Sequence, residues 1–428
     1  MNDAPRAEPA AILELARRVL PAGSFGNLAG DIIIREGKAG RVTDTSGREY
    51  VDFLLGSGPM FVGHCHPEVV EAVREQLGRG FTFFANNEYG IRLAAELVDA
   101  VPCAEQVRFV SSGTEADAFA MRVARAFRGR DKIMKFEGAF HGMSDPALMS
   151  WAPKQPGNFP QAVPDSAGIP RSAAGDVLIA PFNDAELAAS LIREHRNELA
   201  GVIVEPFQRL LPPRPGFLQA LRKATQEAGI LLIFDEIVTG FRFAYGGAQE
   251  YYGVVPDLCT LGKIIGGGFP LAAIAGRADI MAQFDRAKSD DAHFLPQVGT
   301  LSGNPVASVA GLATLEILKR PGVYEKVFAT GRRLMESLAS LLRETGVPGQ
   351  VLGEPPLFDV FFATGDLHDY RATLRANGEM MRRFNRSLRD NGVLKGDSKI
   401  YVSLAHDEAD VRQALDAFAQ ALRAEAMR

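Results

Sequence analysis

The stretch at residues 229–237, GILLIFDEI, decides the fold class of this chain. Its first part is apolar at every position, as is typical of a strand buried on both faces of a sheet, and GVIVEP at 201–206 repeats the pattern. Further strand-like runs alternate with helical patterns and lie at residues 106–110, 132–136, 175–181 and 257–262. Because strands that alternate with helices form largely parallel sheets covered on both faces, we predict an α/β fold.

The size and composition of the chain are those of an ordinary globular protein. It has 428 residues, of which 46% are hydrophobic and 23% charged, enough for two domains with a large core. The net charge of −5 gives no electrostatic reason to expect nucleic acid or an anionic membrane as a partner. The apolar runs are also shorter than the ~20 residues of a membrane helix.

The cysteines indicate a reducing compartment. Cys65, Cys103 and Cys259 are odd in number and far apart, which argues against a disulfide framework or a zinc site. The segment His64-Cys65-His66 lacks further ligands nearby, so we expect no metal site. With no secretory signal in the first residues, we expect a cytoplasmic protein.

The pattern of strands and helices divides the chain. We predict an N-terminal segment at 1–60 whose strands join a smaller domain, a large domain at 61–305, and a C-terminal α+β domain at 306–428. Residues 150–176 are rich in Pro, Gly, Ala and Ser, and a loop of that length inside a compact domain is usually functional or disordered.

Small and hydroxyl residues connect the strand at 106–110 to the helix that follows. The segment Ser111-Ser112-Gly113-Thr114-Glu115 lets the backbone approach an anion, and the helix N-terminus supplies donors for a phosphate. An ordinary Ser/Thr cap on the helix explains the segment equally well.

Charged residues end or follow two buried strands. Asp235 ends the apolar run at 229–234, where an acid is costly unless it is paired or lies in a site. One use is an ion pair to the pyridine nitrogen of pyridoxal 5′-phosphate (PLP). Lys263 follows the next strand and precedes a glycine-rich loop, where a desolvated amine can act as nucleophile or base. A structural carboxylate and a surface lysine are the alternatives.

Two more strand ends carry candidate site residues. Glu205 ends GVIVEP, and Phe140 and His141 follow the strand at 132–136. An aromatic ring at this position could stack on a cofactor ring, although core packing would explain it too. Because ligands bind at the carboxyl ends of strands in open α/β sheets, all these residues are expected at one sheet edge.

Six stretches of the chain resemble the class III PLP-dependent aminotransferases, and most of all the glutamate-1-semialdehyde 2,1-aminomutases. They are GPMFVGHCHPEVVEAV, VRFVSSGTEA, GRDKIMKFEGAFHG, LLIFDEIVTGFR, GGAQEYYGVVPDLCTLGKIIGGGFP and GTLSGNPVA. The likeness extends from about Leu20 to the C-terminus. It implies a fold-type-I transferase: a large PLP-binding domain with a mainly parallel seven-stranded sheet, and a smaller α+β domain.

The resemblance implies the chemical roles of two residues. Lys263 would hold PLP as a Schiff base and move the proton during the reaction, and Asp235 would pair with the pyridine nitrogen. The remaining cofactor contacts that it implies are Ser112, Gly113 and Thr114 at the phosphate, Phe140 and Ile237 on opposite ring faces, His141 and Glu205 around the ring, and Thr300 at the phosphate of a neighbouring subunit. It therefore also implies a homodimer with shared active sites.

The substrate side departs from the aminomutase pattern in three places. The segment 21–30 lacks the arginine that holds the substrate carboxylate, Ser57 replaces a tryptophan, and Ser398 stands where a glutamate is usual. Ser57 should leave a wider pocket. Candidate carboxylate partners in this chain are Arg35, Arg41, Lys395 and Lys399.

These observations favour a transaminase that moves an amino group from an amino acid or amine to a keto acid or aldehyde through pyridoxamine phosphate. The alternative is an aminomutase that makes 5-aminolevulinate from glutamate-1-semialdehyde. A non-catalytic PLP-binding protein is disfavoured by Lys263 and Asp235, and racemisation would use the same lysine.

Overall fold

The computed structural model of the chain describes residues 9–28 and 31–428, and the strands in this part form three sheets. No helix in it is both long and apolar enough to cross a membrane. The strands are β1 (Ile34–Lys38), β2 (Arg41–Asp44), β3 (Glu49–Asp52), β4 (Gln106–Val110), β5 (Lys132–Phe136), β6 (Val177–Ala180), β7 (Leu199–Val204), β8 (Leu231–Glu236), β9 (Leu258–Leu261), β10 (Ala272–Gly276), β11 (Gln350–Glu354), β12 (Leu357–Phe361), β13 (Val393–Leu394) and β14 (Ile400–Tyr401). The helices are α1 (Pro9–Val19), α2 (Pro67–Leu77), α3 (Glu88–Ala100), α4 (Gly113–Arg128), α5 (Ala185–Glu194), α6 (Phe217–Ala228), α7 (Gly247–Tyr252), α8 (Ala278–Met281), α9 (Pro305–Leu318), α10 (Val323–Thr345), α11 (Tyr370–Thr373), α12 (Gly378–Asp390) and α13 (Glu408–Ala426).

The largest sheet has seven strands in the order β4-β10-β9-β8-β7-β5-β6. From β6 to β9 all neighbours pair in parallel, whereas β10 is antiparallel to both β9 and β4. The prediction of a mainly parallel seven-stranded sheet is confirmed.

Both faces of this sheet are buried, as the apolar runs predict. Ile203 and Ile233 pack on one face with the alanines of α4, while Val202 and Leu232 pack into the larger core on the other face. Because successive side chains of a strand point to opposite faces, a strand covered on both sides must be apolar throughout.

The two smaller sheets connect distant parts of the chain. In the four-stranded sheet, β1-β2-β3-β13, the C-terminal strand β13 pairs in parallel with β3 from the N-terminal segment. The three-stranded sheet has the order β11-β12-β14. The predicted joining of the N-terminal strands to C-terminal residues agrees with this pairing, and the boundaries at residues 60 and 305 stay a prediction.

The segment 150–176 is mostly irregular, with a short 3₁₀ turn at Arg171–Asp176, and it contacts α11. The Tyr370 hydroxyl donates to the carbonyl of Pro153 at 3.1 Å, and the Arg371 guanidinium donates to the carbonyl of Gly157 at 2.6 Å. Arg371 also lies 4.2 Å from the centre of the Phe159 ring. A helix near the C-terminus therefore fixes this loop beside the main sheet.

Candidate active site

Three ionisable side chains lie at the carboxyl ends of neighbouring parallel strands. Glu205 directly follows β7, Asp235 lies near the end of β8, and Lys263 comes two residues after β9. Because β7, β8 and β9 pair in parallel, their carboxyl ends meet at one edge, as predicted. The candidate active site is built at this edge.

The centre of the site is a buried acid–histidine pair. His141 Nδ1 lies 2.7 Å from Asp235 Oδ2, and the backbone N–H of Ile237 donates to Asp235 Oδ1 at 3.1 Å. Since an ionised carboxylate only accepts hydrogen bonds, Nδ1 carries hydrogen when Asp235 is charged. The pair presents a fixed negative group.

The N-terminus of α4 forms a cap and keeps free donors. The Ser112 hydroxyl accepts from the backbone N–H of Glu115 at 3.2 Å, so the capping interpretation of this segment holds. The N–H groups of Gly113 and Thr114, in the first turn, donate to no group in the described part of the chain. The helix dipole favours an anion beside them, so the cap and the phosphate site are compatible.

Ile237 lies between the α4 terminus and the lysine segment. A Cβ atom added to Gly113 would be 3.2 Å from Ile237 Cγ2, and one added to Gly262 would be 3.0 Å from its Cδ1. The side chain therefore touches the residue before Lys263 and the start of α4 at once.

Phe140 is held in place by its neighbours on the loop after β5. Its backbone N–H donates to Glu205 Oε2 at 3.1 Å, and its ring centre lies 5.6 Å from that of Trp151 in an edge-on arrangement. The Arg209 guanidinium carbon lies 5.6 Å from the Phe140 ring centre. Such contacts fix the orientation of an aromatic face.

Lys263 has an unusual backbone. Its φ of +51° is in the left-handed region, which is rare for a residue with a side chain and concentrates at functional sites. Burial lowers the pKa of the Lys263 amine, an effect to which the nearby charges of Lys399 and Arg242 contribute, while Tyr401 and Asp235 oppose it. A lower pKa makes the neutral, nucleophilic amine more available.

Arg209, Arg242 and Lys399 bring further positive charge to the site, and we call them the basic cluster. Arg242 is fully buried between the rings of Phe61 and Tyr401, 5.3 and 5.0 Å from their centres. Its Nη2 donates to the carbonyl of Gly58 at 2.6 Å, but its Nη1 is buried without a partner in the described part of the chain.

Lys399 lies near the carboxylates of Glu205 and Asp235 as well as near the two arginines. Burial, together with the charges of Arg209 and Arg242, lowers the pKa of Lys399 to about 7, while Glu205 and Asp235 act in the opposite direction. Neither Lys399 nor Arg209 forms a side-chain hydrogen bond or ion pair within residues 9–28 and 31–428. Two neighbouring basic side chains without a bonded carboxylate can accept an anion as a partner.

Sequence reasoning named Lys399 but missed Arg209 and Gln208. Gln208 and Arg209 lie three and four residues after Glu205 in the stretch EPFQR, just beyond the end of β7. Gln208 is buried, its Nε2 donates to the carbonyl of Glu137 at 2.7 Å, and its Oε1 has no partner among the described residues. The sequence signal for Gln208 and Arg209 is their position just after the end of a buried parallel strand.

Two of the other proposed carboxylate partners form ion pairs with acidic side chains of the chain itself. Arg41 binds Asp410 at 2.7 Å and Glu49 at 2.8 Å, far along the small four-stranded sheet, so it is a poor candidate for the substrate site. Lys395 forms a fully buried ion pair with Asp359 at 2.6 Å. The third, Arg35, donates to the backbone carbonyl of Thr45 on the exposed surface.

Three predicted site residues lie at the surface of the single chain. They are Ser57, which has a left-handed backbone, Ser398, one residue before Lys399, and Thr300, in the loop before α9. Their roles stay predictions. Part of the segment 21–30, which lacks the arginine, lies outside the described residues.

The residues present fit PLP. The α4 N-terminus suits a phosphate, the Asp235–His141 pair suits a protonated pyridine nitrogen, and Lys263 supplies an amine. Two buried polar atoms at this edge, His141 Nε2 and Gln208 Oε1, have no partner in the described part of the chain, as expected of atoms that face a polar ligand.

A model of the family described as Aminotransferase class-III matches residues 25–422. The chain is a class III aminotransferase. Its similarity to solved structures supports the same family. An ω-transaminase from Sphaerobacter thermophilus is 37% identical over 99% of both chains, with a TM-score of 0.93. A transaminase solved with PLP bound is 31% identical over 98% of both chains, with a TM-score of 0.89.

The predicted likeness to aminomutases is also present and is weaker. A glutamate-1-semialdehyde aminomutase from Pseudomonas aeruginosa PAO1 is 26% identical, over 96% of this chain and 93% of that one, with a TM-score of 0.85. This class III aminotransferase therefore uses PLP, and transamination is the activity that its family and its structural matches support.

Proposed function

We propose that this aminotransferase takes the amino group of a donor that carries a carboxylate, an amino acid rather than a simple amine. The observation that supports the proposal is the pair Lys399 and Arg209, two cations at the site edge with no bonded carboxylate among the described residues. Charge-assisted hydrogen bonds to such cations would orient a substrate carboxylate. Lys399 and Arg209 would thereby take the role of the arginine that the N-terminal segment lacks.

In this proposal Lys263 is the attachment site of PLP and moves the proton at the substrate carbon that bears the nitrogen. Bound PLP supplies an electron sink for the negative charge that forms there. The Asp235 carboxylate, oriented by His141 at 2.7 Å, would accept a hydrogen bond from the protonated pyridine nitrogen. The α4 N-terminus with Ser112, Gly113 and Thr114 binds the phosphate.

Phe140 and Ile237 would enclose the cofactor ring from its two faces in the same proposal. Phe140 is oriented by Glu205, whose Oε2 accepts its backbone N–H. Ile237 touches both the α4 terminus and the residue before Lys263. Apolar contact on two faces excludes water from the ring and strengthens the polar contacts at its edge.

We also propose a homodimer with shared sites. Phe81, Phe83 and Phe84 are exposed, and Phe84 leaves 68% of its surface to solvent. Asn87, just after them, donates to the carbonyl of Gly303 at 2.7 Å, which joins this patch to the loop that carries Thr300. Exposed aromatic patches of this kind mark protein interfaces, and in the proposed dimer Thr300 would reach the phosphate bound by the partner.

A cytoplasmic location is part of the same proposal. The three cysteines are free, with Cys65 exposed and Cys103 and Cys259 buried. Free cysteines suit a reducing compartment.

The experiment that tests the proposed function compares matched donors. Purified enzyme with PLP is mixed with alanine or with isopropylamine, in which a methyl group replaces the carboxylate, and conversion of the bound cofactor to its amine form is followed by absorbance. We expect alanine or a longer amino acid to react faster than its matched amine. Equal rates for every matched pair would contradict a carboxylate site, and reaction with glutamate-1-semialdehyde alone, giving 5-aminolevulinate, would establish the aminomutase.

A further inference from the structure

A second buried carboxyl group lies behind the Asp235–His141 pair. Asp117, on α4, is 2% exposed, compared with 5% for Asp235 and 0% for His141. One oxygen or nitrogen atom of each lies within 4.8 Å of those of the other two. Within the described residues, no lysine or arginine forms an ion pair with Asp117 or Asp235. Two carboxyl groups thus share one buried space, and neither has a lysine or arginine bonded to it in the described part of the chain.

Thr260, on β9, touches both carboxyl groups. Its Oγ1 lies 2.6 Å from Asp117 Oδ1 and 3.4 Å from Asp235 Oδ1. A hydroxyl has one hydrogen, and an ionised carboxylate has none to give. If both acids were ionised, only one of these two contacts could contain a hydrogen. A proton on Asp117 supplies the second hydrogen.

The charges around Asp117 also favour its neutral form. Burial raises the pKa of Asp117 well above its usual range, and the carboxylates of Asp235 and Glu205 raise it further, while the contact with Thr260 opposes them. Like charges at this distance in a dry interior cannot both ionise at low cost. His141 Nδ1 and the Ile237 N–H both donate to the Asp235 carboxylate, whereas no backbone N–H donates to Asp117 within the described residues.

We propose that Asp117 is a positioning residue that keeps its proton at neutral pH and, through the Thr260 hydroxyl, orients the Asp235 carboxylate. This inference rests on the proposed role of Asp235 as the partner of the pyridine nitrogen. Asp117 does not touch the reacting atoms. It supplies a neutral hydrogen-bond donor, so that the three groups carry a single negative charge aimed at the cofactor.

The test measures the charge of residue 117 directly. Wild type, Asp117→Asn and the matched control Asp416→Asn, an exposed aspartate on α13, are focused under native conditions with and without PLP. We expect D117N to focus with wild type, because it replaces a neutral acid by a neutral amide, and D416N to focus at higher pH. A shift of D117N equal to that of D416N would overturn the proposal.

A second measurement does not depend on any variant folding. Infrared spectra of wild-type protein with carbon-13 in its aspartates should contain the carbonyl stretch of a protonated carboxylic acid at neutral pH, before PLP is added. Its absence would contradict a protonated Asp117. A failure of the proposed transamination would leave both of these measurements unaffected.

The positioning role is tested by the pH titration of the absorbance of bound PLP. D117N and Thr260→Ser keep a donor, so their midpoints and PLP affinities should match wild type within about threefold. Asp117→Leu and Thr260→Val remove the hydrogen bonds that connect Asp117 through Thr260 to Asp235. PLP affinity should then fall about tenfold, as for the loss of a buried hydrogen bond. If both apolar variants titrate with the same midpoint pH as wild type, Asp117 has only a packing role and the proposal is wrong.

Discussion

The ammonium group of Lys399 lies among two arginines and two carboxylates, so its charge depends on what binds beside it. Its pKa, lowered to about 7, means that the free site loses this charge as the pH rises through neutrality. A bound carboxylate favours the charged form, so the affinity for an amino acid should be highest below about pH 7.

Replacing Lys399 tests this pH dependence. Lys399→Met should raise the KM for alanine about tenfold and leave the KM for isopropylamine unchanged, because only the amino acid carries a carboxylate. Lys399→Arg stays charged at every pH, so the ratio of its KM to that of wild type should fall as the pH rises above 7. Steady-state kinetics with alanine and isopropylamine give these KM values. An equal rise in KM for both donors would contradict the role of Lys399 in binding a carboxylate.

The positions of residues at strand ends could be predicted from the sequence. Glu205, Asp235 and Lys263 could be placed together from the sequence because parallel strands end at one sheet edge. Arg209 and Lys399 could not be paired in this way, since they come from distant segments and only the packing of the smaller sheets brings them together. Arg41 shows the converse: the sequence could not reveal that Asp410 and Glu49 already bind it.

At the scale of elements, the loop after β5 depends on one buried lysine. Lys135 Nζ donates to the carbonyls of Ala139 and Met149 and to that of Ala147, at 3.1, 2.7 and 2.7 Å. These contacts shape the loop that carries Phe140 and His141. Burial lowers the pKa of Lys135 to about 7, while the charges of Glu205, Asp165 and Asp235 oppose this shift.

Lys135→Met should therefore destabilise the loop that carries Phe140 and His141, although Lys135 is not itself one of the proposed site residues. Three buried carbonyls lose their donor, and we expect a loss of about 3 kcal/mol in the free energy of unfolding, with weaker PLP binding. Lys132→Met, on the same strand, removes only a partly exposed ion pair with Glu198 and should cost under about 1 kcal/mol. Denaturant unfolding and PLP titration measure both, and equal effects of the two changes would contradict the argument.

Within the large sheet, the one strand that sequence patterns missed is β10. Its residues, AAIAG at 272–276, are mostly alanine and glycine, which have little preference for strands. The other six strands of the large sheet were predicted from apolar runs, and only the family resemblance implied a seventh. β10 forms between β9 and β4, where small side chains let α4 pack closely on the sheet.

At the scale of the whole molecule, the exposed phenylalanines predict assembly. Phe84→Asp places a charge in the proposed interface, so it should weaken the dimer and, through the Thr300 loop, lower PLP affinity. Leu374→Asp, at an exposed apolar position outside this patch, is the control. Sedimentation velocity gives the oligomeric state, and a wild type that sediments as a monomer would refute the shared site.

Three lysines of the site region could carry the cofactor, since Lys135 is buried and Lys399 is partly buried, as well as Lys263. Borohydride reduction of the PLP-loaded enzyme, followed by peptide mass spectrometry, identifies the lysine that bears the cofactor. If Lys263 is the attachment site of PLP, the added mass will lie on Lys263 alone. Cofactor mass on Lys399 or Lys135, with Lys263 unmodified, would contradict it.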